Sequence, residues 1–233
     1  VSALALLAAT ASLGALMGRL AAEPQLRRLR RLLGLAYHAA GHDRLTALPN
    51  RLLADQVFAA RERRGQPTIV VLLDLDHFKQ INDAYGHHVG DDLLRSIADH
   101  LAATAQAHDG SAARLGGDEF LLLLAAHGNP AEVVEQILRA VAQPTLLPTG
   151  DSMITVKPSA SAGITVYDGR NGSLATLLHQ ADIALYQAKK HRGGHCTYTP
   201  AMRMPRNATR HGPRLRDEHP TDHDRQAGGQ PTS

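Results

Sequence analysis

Residues 114–120 read Arg-Leu-Gly-Gly-Asp-Glu-Phe, and Leu121 to Leu124 follow without a break. Two adjacent glycines permit a tight turn with positive φ angles. The apolar stretches on either side, 113–115 and 120–125, read as the two strands of a hairpin. Asp118 and Glu119 stand at the turn. Successive strand residues face opposite ways, so only one of the two acids need reach a ligand directly. Gly116 and Gly117 also leave the backbone bare for a ligand to press against. Taken alone, the pattern fits an ordinary hairpin with solvated acids better than a binding site.

A second acidic edge lies upstream. Thr68 to Leu75 is a nearly continuous apolar run, the pattern of a strand covered on both faces, and Asp74 sits at its end. An ionised carboxylate there is costly unless a cation compensates it. If the two strand ends meet, Asp74 and Asp118 can hold a divalent cation with positions left open for phosphate oxygens. The bland alternative for Asp74 is a cap on the following turn. Asp76, Phe78, Lys79, Asn82 and Asp83 come next, and Gly86-His87-His88-Val89-Gly90-Asp91 closes the segment. Read as a loop, it offers backbone N–H groups and Lys79 to a polyphosphate. Asn82 and Asp91 each suit a hydrogen bond to a base edge. A carboxylate accepting from N1–H and an exocyclic amine favours guanine over adenine. Asp91 equally suits an acid at a helix N-terminus, where the dipole welcomes it.

The other elements follow from periodicity. Pro49 suits the first turn of a helix continued by Leu53 and Val57. Leu94, Ile97, Ala98 and Leu101 recur at helical spacing, as do Val134, Ile137, Leu138 and Val141. Residues 153–156 and 160–166 read as strands. Ser173 is a candidate N-cap for a long helix with Leu174, Leu177, Leu178, Ala181, Leu185 and Ala188 inward. Lys189, Lys190 and Arg192 near its end complement the dipole, or Lys189 reaches a terminal phosphate. Helices alternating with strands and strand pairs give an α+β domain over 43–199 with one mixed sheet.

Composition bounds the rest. Apolar residues make up 43% of 233, enough for one core, while aromatics are 3% and Trp is absent. A stacking platform for single-stranded nucleic acid is therefore poorly supported. Net charge is +3, part of it in the cluster Arg27, Arg28, Arg30 and Arg31. The single cysteine, Cys196, excludes an intrachain disulfide and a cysteine metal site. Residues 1–18 carry no charge and include Gly14-Ala-Leu-Met-Gly18, a spacing that lets membrane helices approach closely. We therefore expect 1–22 to be a membrane helix or hydrophobic anchor, 23–42 a basic linker helix, and the polar segment 200–233 a disordered tail.

Four segments, in this order, resemble the GGDEF family of diguanylate cyclases. They are Asp43-Arg-Leu-Thr-Ala-Leu-Pro-Asn-Arg51, the block from Asp74 to Asp91, the 114–120 hairpin, and Ala181-Asp-Ile-Ala-Leu-Tyr-Gln-Ala-Lys189. The resemblance implies a fold like the palm of nucleotidyl cyclases, with a central mixed, mostly antiparallel five-stranded sheet flanked by helices. It implies condensation of two GTP into cyclic di-GMP and two pyrophosphates across a homodimer, with Mg²⁺ or alternatively Mn²⁺, and no nucleic-acid polymer as partner. By position, Asp74, Asp118 and the Leu75 carbonyl match metal ligands. Asp118 also matches a proton acceptor, and Glu119 a supporting acid. Asn82 and Asp91 match guanine readers, His87 a residue lining the nucleotide site, and Lys79 and Lys189 phosphate contacts, with Gly116 and Gly117 at the substrate. The catalytic domain is then cytoplasmic, tethered to the inner face of the membrane by 1–22.

Three positions depart from the family pattern. Ala47 stands where a glycine is usual. Arg192–Gly193 reverses the usual order of glycine and arginine after Lys189. Residues 107–110 lack the Arg-x-x-Asp of a product-inhibition site. The reversal is the main support for the alternative, a catalytically silent module that binds GTP or cyclic di-GMP and regulates a partner.

Overall fold

The computed structural model describes residues 38–205 except 151, 171 and 192, together with residue 17 and residues 22–29 and 31–34. The expected anchor at 1–22 lies outside the described residues apart from Met17 and Ala22, as does the expected tail beyond residue 205. Residues 22–29, 31–34 and 38–41 are helical. Among the described residues, no helix is long and apolar enough to cross a membrane.

The domain runs α1 (Arg51–Arg63), β1 (Thr68–Leu75), α2 (Phe78–Tyr85), α3 (His87–Ala107), β2 (Ser111–Gly116), β3 (Glu119–Ala125), α4 (Pro130–Val141), β4 (Thr145–Thr149), β5 (Ser152–Val156), β6 (Ala160–Tyr167), α5 (Leu174–Lys190) and β7 (Gly194–Thr197). The main sheet has five strands in the order β2-β3-β1-β6-β7. All its pairings are antiparallel except β6 with β7. It is the expected mixed, mostly antiparallel sheet, and β1 is its central strand.

Every residue of β1 is buried, because both faces of the strand are covered. Alternate residues feed two apolar clusters, as the period of a strand dictates. Ile69, Val71, Leu73 and Leu75 pack with α3 and α4, through Leu93, Ile97, Leu101, Val134 and Ile137 among others. Val70 and Leu72 pack with α1 and α5, through Phe58, Leu177, Leu178, Ala181 and Leu185. Helix α5 lies close on this second face. A Cβ at Gly163 of β6 would stand 1.9 Å from the Ala181 carbonyl oxygen and 2.4 Å from the Leu185 nitrogen. Only a glycine lets the helix approach that far.

Several expectations are corrected. Pro49 is not in the first turn of α1. Asn50 is the N-cap, its side chain accepting from the Leu53 N–H, and Pro49 precedes it in a bridge to His42. The segment after β1 is not a loop. It forms α2, then α3 from His87 onward, because Phe78 and Ile81 turn inward against the core cluster. Strand β5 leaves the main sheet and pairs only with β4, while β7 supplies the fifth strand. Ser173 caps α5 as expected, accepting from the Thr176 N–H.

Ala47 adopts φ 58°, a left-handed conformation that costs an L-residue about 1 kcal/mol and a glycine little. Its methyl group is exposed, so nothing packs to offset the strain. Replacing Ala47 with glycine should raise unfolding stability by about 1 kcal/mol in chemical denaturation. A loss of stability would show that the alanine contributes contacts that outweigh its backbone strain.

Candidate active site

The register of β1 against β3 brings the two acidic segments together. Asp74 pairs directly with Glu119, and the Leu75 N–H donates to the Asp118 carbonyl at 3.3 Å. Directly opposed residues of an antiparallel pair project to the same face. Asp74 and Glu119 therefore end the row that begins with Val70 and Leu72, on the face covered by α5. Both are buried. Asp118 belongs to the turn between β2 and β3 and is partly exposed.

That turn is held from outside. Gly116 and Gly117 have φ 147° and 54°, so glycine is needed there for backbone freedom. The Arg114 guanidinium donates twice to the Gly117 carbonyl, at 3.0 and 2.7 Å, and once to Asp43 Oδ1 at 2.8 Å. Asp43 also accepts from the Thr46 N–H and hydroxyl. Burial works to raise the Asp43 pKa, but the hydrogen bonds from Thr46 and Arg114 outweigh it and hold it below the ordinary carboxylate value.

Lys189, at the end of α5, reaches the rim. Its ammonium lies 2.5 Å from Asp74 Oδ1. Burial nonetheless raises the Asp74 pKa, with neighbouring Asp118 and Asp76 adding to the shift and Lys189 opposing it. Burial likewise raises that of Asp118, against Lys189 and Arg114. A third acid, Asp76, accepts from the Ser161 hydroxyl at 2.7 Å. The site thus concentrates negative charge around one ammonium group.

The base-reading candidates lie on α2 and α3, which pack together. Asn82 Oδ1 is buried without a hydrogen-bond partner. A Cβ at Gly90 would stand 1.9 Å from it, so the glycine makes the room that Asn82 fills. Asp91 follows Gly90 and is partly exposed. It is the fifth residue of α3, beyond the first turn, so the expected role of an N-terminal acid is corrected. His87, which opens α3, and Lys79 on α2 are exposed.

The donors suit a hard cation. Asp74, Asp118 and the Leu75 carbonyl offer only oxygen, the chemistry Mg²⁺ selects. A positive group already sits on Asp74. Among the described residues no three carboxylate, imidazole or thiolate side chains cluster as a metal-ligand set. A hard cation held there would take its remaining ligands from outside the chain.

A family model described as "Diguanylate cyclase, GGDEF domain" matches residues 40–195. The chain belongs to the GGDEF family. Among curated relatives, this GGDEF chain is 40% identical over 168 residues to the bifunctional diguanylate cyclase/cyclic di-GMP phosphodiesterase MucR of Pseudomonas aeruginosa, covering 69% of this chain and 24% of MucR. It is 39% identical over 165 residues to the diguanylate cyclase TpbB of the same organism, covering 67% of this chain and 37% of TpbB. The chain thus spans 24% and 37% of the lengths of these relatives. Among solved structures, the coiled coil and GGDEF domain of DgcB from Caulobacter crescentus, in complex with c-di-GMP, superposes with a TM-score of 0.66 at 29% identity, covering 78% of this chain and 98% of that one. The five-stranded sheet with flanking helices is the GGDEF fold.

Four participants were not singled out from sequence. Arg114 and Asp43 lie inside recognised segments, but their contact across the fold is invisible in one dimension. Asp76 and Ser161 meet because β6 pairs with β1. Arg192 lies outside the described residues. Its reversal with Gly193 has a backbone counterpart, since Gly193 and Gly194 have φ 95° and 89°, conformations that disfavour arginine.

The raised Asp118 pKa has a definite sign in stability. Its contribution is fully present below the ordinary value of 3.8 and is lost as pH rises through the higher folded-state value. At pH 7 without divalent cations, Asp118→Asn should raise the melting midpoint by a few degrees, on the order expected for a single relieved carboxylate. The gain should shrink below pH 3.8. An equal gain at both pH values would assign it to something other than ionisation.

Proposed function

We propose that this chain is a diguanylate cyclase, condensing two GTP into cyclic di-GMP and two pyrophosphates across a homodimer. The observation that carries the reading is the convergence of Asp74 and Asp118 at one sheet rim, with Lys189 beside them. In this reading Asp74, Asp118 and the Leu75 carbonyl hold Mg²⁺, with Mn²⁺ as the alternative, and Glu119 supports them from the Asp74 face. The bound ions would supply charge neutralisation at the triphosphate and a more acidic attacking 3′-hydroxyl.

The chain's own residues do the rest. The bare turn at Gly116 and Gly117 lets the triphosphate lie against the backbone. Lys79 and Lys189 contact phosphate oxygens. Asn82 presents a buried polar atom in need of a partner, and Asp91 accepts from guanine N1–H and its exocyclic amine, while His87 lines the pocket. In this reading Asp118 accepts the proton of the attacking hydroxyl. Each domain positions one nucleotide, so a second copy must bring the other within reach. The catalytic domain acts in the cytoplasm, and the uncharged N-terminal segment tethers it to the inner face of the membrane.

A silent binding module would retain nucleotide contacts without turnover. The presence of Asp74, Asp118, Glu119 and both turn glycines favours the enzyme. Incubation of the dimeric protein with GTP and Mg²⁺, followed by nucleotide separation, should yield pyrophosphate and cyclic di-GMP. Asp118→Ala should lower turnover by at least about a thousandfold. GTP binding with no turnover by the folded dimer would select the silent module.

Product control through residues 107–110 is not expected. A Cβ at Gly110 would stand 2.5 Å from the Leu123 carbonyl oxygen and 2.6 Å from Leu124 Cδ2, so an aspartate cannot be seated there on this backbone. Arg61 Nη1 donates to the neighbouring Asp109 carbonyl. Cyclic di-GMP added during turnover should leave the rate unchanged through this segment. Strong inhibition, abolished by substitutions at residues 107–110, would contradict this.

A further inference from the structure

Lys189 and Asp74 form an uneven pair. The lysine side chain is 42% exposed and the aspartate side chain 8%. The ammonium enters from solvent onto a buried carboxylate and also lies within electrostatic range of Asp118. It gives the rim what a divalent ion would give it, positive charge close to the oxygens, but on a flexible four-carbon stem. The side chain is half free to leave, whereas the carboxylate is fixed in the sheet. A cation that takes the same Asp74 oxygen must first displace the ammonium. A triphosphate bound at this rim would offer that ammonium a new partner.

We propose that Lys189 is a tethered surrogate cation: it competes with the divalent ion for Asp74 and releases the rim when a nucleotide triphosphate takes the lysine. Cation and nucleotide then bind cooperatively, and the coupling is reciprocal, as linkage requires. This rests on the nucleotide reading given above. It explains how so acidic a rim stays folded before substrate arrives, since a buried carboxylate left without a partner is strongly destabilising.

The test is a Mn²⁺ titration followed by electron paramagnetic resonance. It uses the wild type, Lys189→Met, Lys189→Arg and Asp74→Asn. Each is measured without nucleotide and with a GTP analogue carrying a methylene between the α- and β-phosphates, which cannot turn over. Without nucleotide, Lys189→Met should bind Mn²⁺ about tenfold more tightly than the wild type, the worth of one partly buried ion pair. Lys189→Arg should stay near the wild type, and Asp74→Asn should lose the site. The analogue should tighten Mn²⁺ binding in the wild type and do so much less in Lys189→Met. In metal-free buffer Lys189→Met should melt below the wild type and gain more from added Mn²⁺. If it does not fold, Lys189→Gln, which keeps a hydrogen-bond donor but no charge, carries the same comparison. Mn²⁺ affinity in the neutral variants no higher than in the wild type overturns the proposal. So does an analogue that tightens Mn²⁺ equally in all folded proteins. An analogue that binds none of them defeats the nucleotide reading instead, and the nucleotide-free comparison still upholds or overturns the competition at Asp74.

Discussion

The antiparallel pairing of β1 with β3 is the constraint on which the site depends. In this register Asp74 meets Glu119 and Leu75 hydrogen-bonds the Asp118 carbonyl. A slip of one residue would exchange the faces of every side chain on the moved strand. Asp74 would then leave the face that Lys189 reaches from α5. Leu72 would likewise trade the α1/α5 cluster for the α3/α4 cluster. The same hydrophobic alternation that builds the two cores therefore holds the acids in place. Folding and charge placement are specified by one pattern.

That coupling works against stability at the rim. Burial raises the pKa of both Asp74 and Asp118, so each ionised carboxylate is held in an environment that favours its neutral form. Lys189 from the helix offsets part of this at both acids, and Arg114 from β2 does so at Asp118. Proteins commonly keep such unfavourable charge where chemistry needs it. The well-packed sheet beneath, with Leu72, Leu73, Phe120 and Leu121 almost wholly buried, supplies the support.

Much of this was legible in the sequence, and the failures have physical causes. The buried strand at 68–75, the hairpin around Gly116-Gly117 and the Ser173 cap are each encoded by local chemistry. So is the helix rich in leucine and alanine after that cap. The helix at 78–85 was hidden because Asn82, Asp83 and Gly86 read as loop residues, while only Phe78 and Ile81 pack inward. The placement of β5 outside the main sheet could not be read, since strand propensity does not name a partner. Of the site, the two acids, the two glycines and Lys189 were identifiable by residue type and order. The engagement of Lys189 with Asp74 was not, because it joins residues 115 positions apart. Nor was the clamp of Arg114 on Asp43, which only the tertiary fold creates.

That clamp has a mechanical meaning. One planar guanidinium joins Asp43, two residues past the helical stretch 38–41, to the backbone of the acid-bearing turn. A planar fork with donors in fixed directions can hold both partners at once. The entrance of the domain is therefore tied to Gly117 by side-chain hydrogen bonds as well as by the chain itself, so the doorway and the hearth share one fastening.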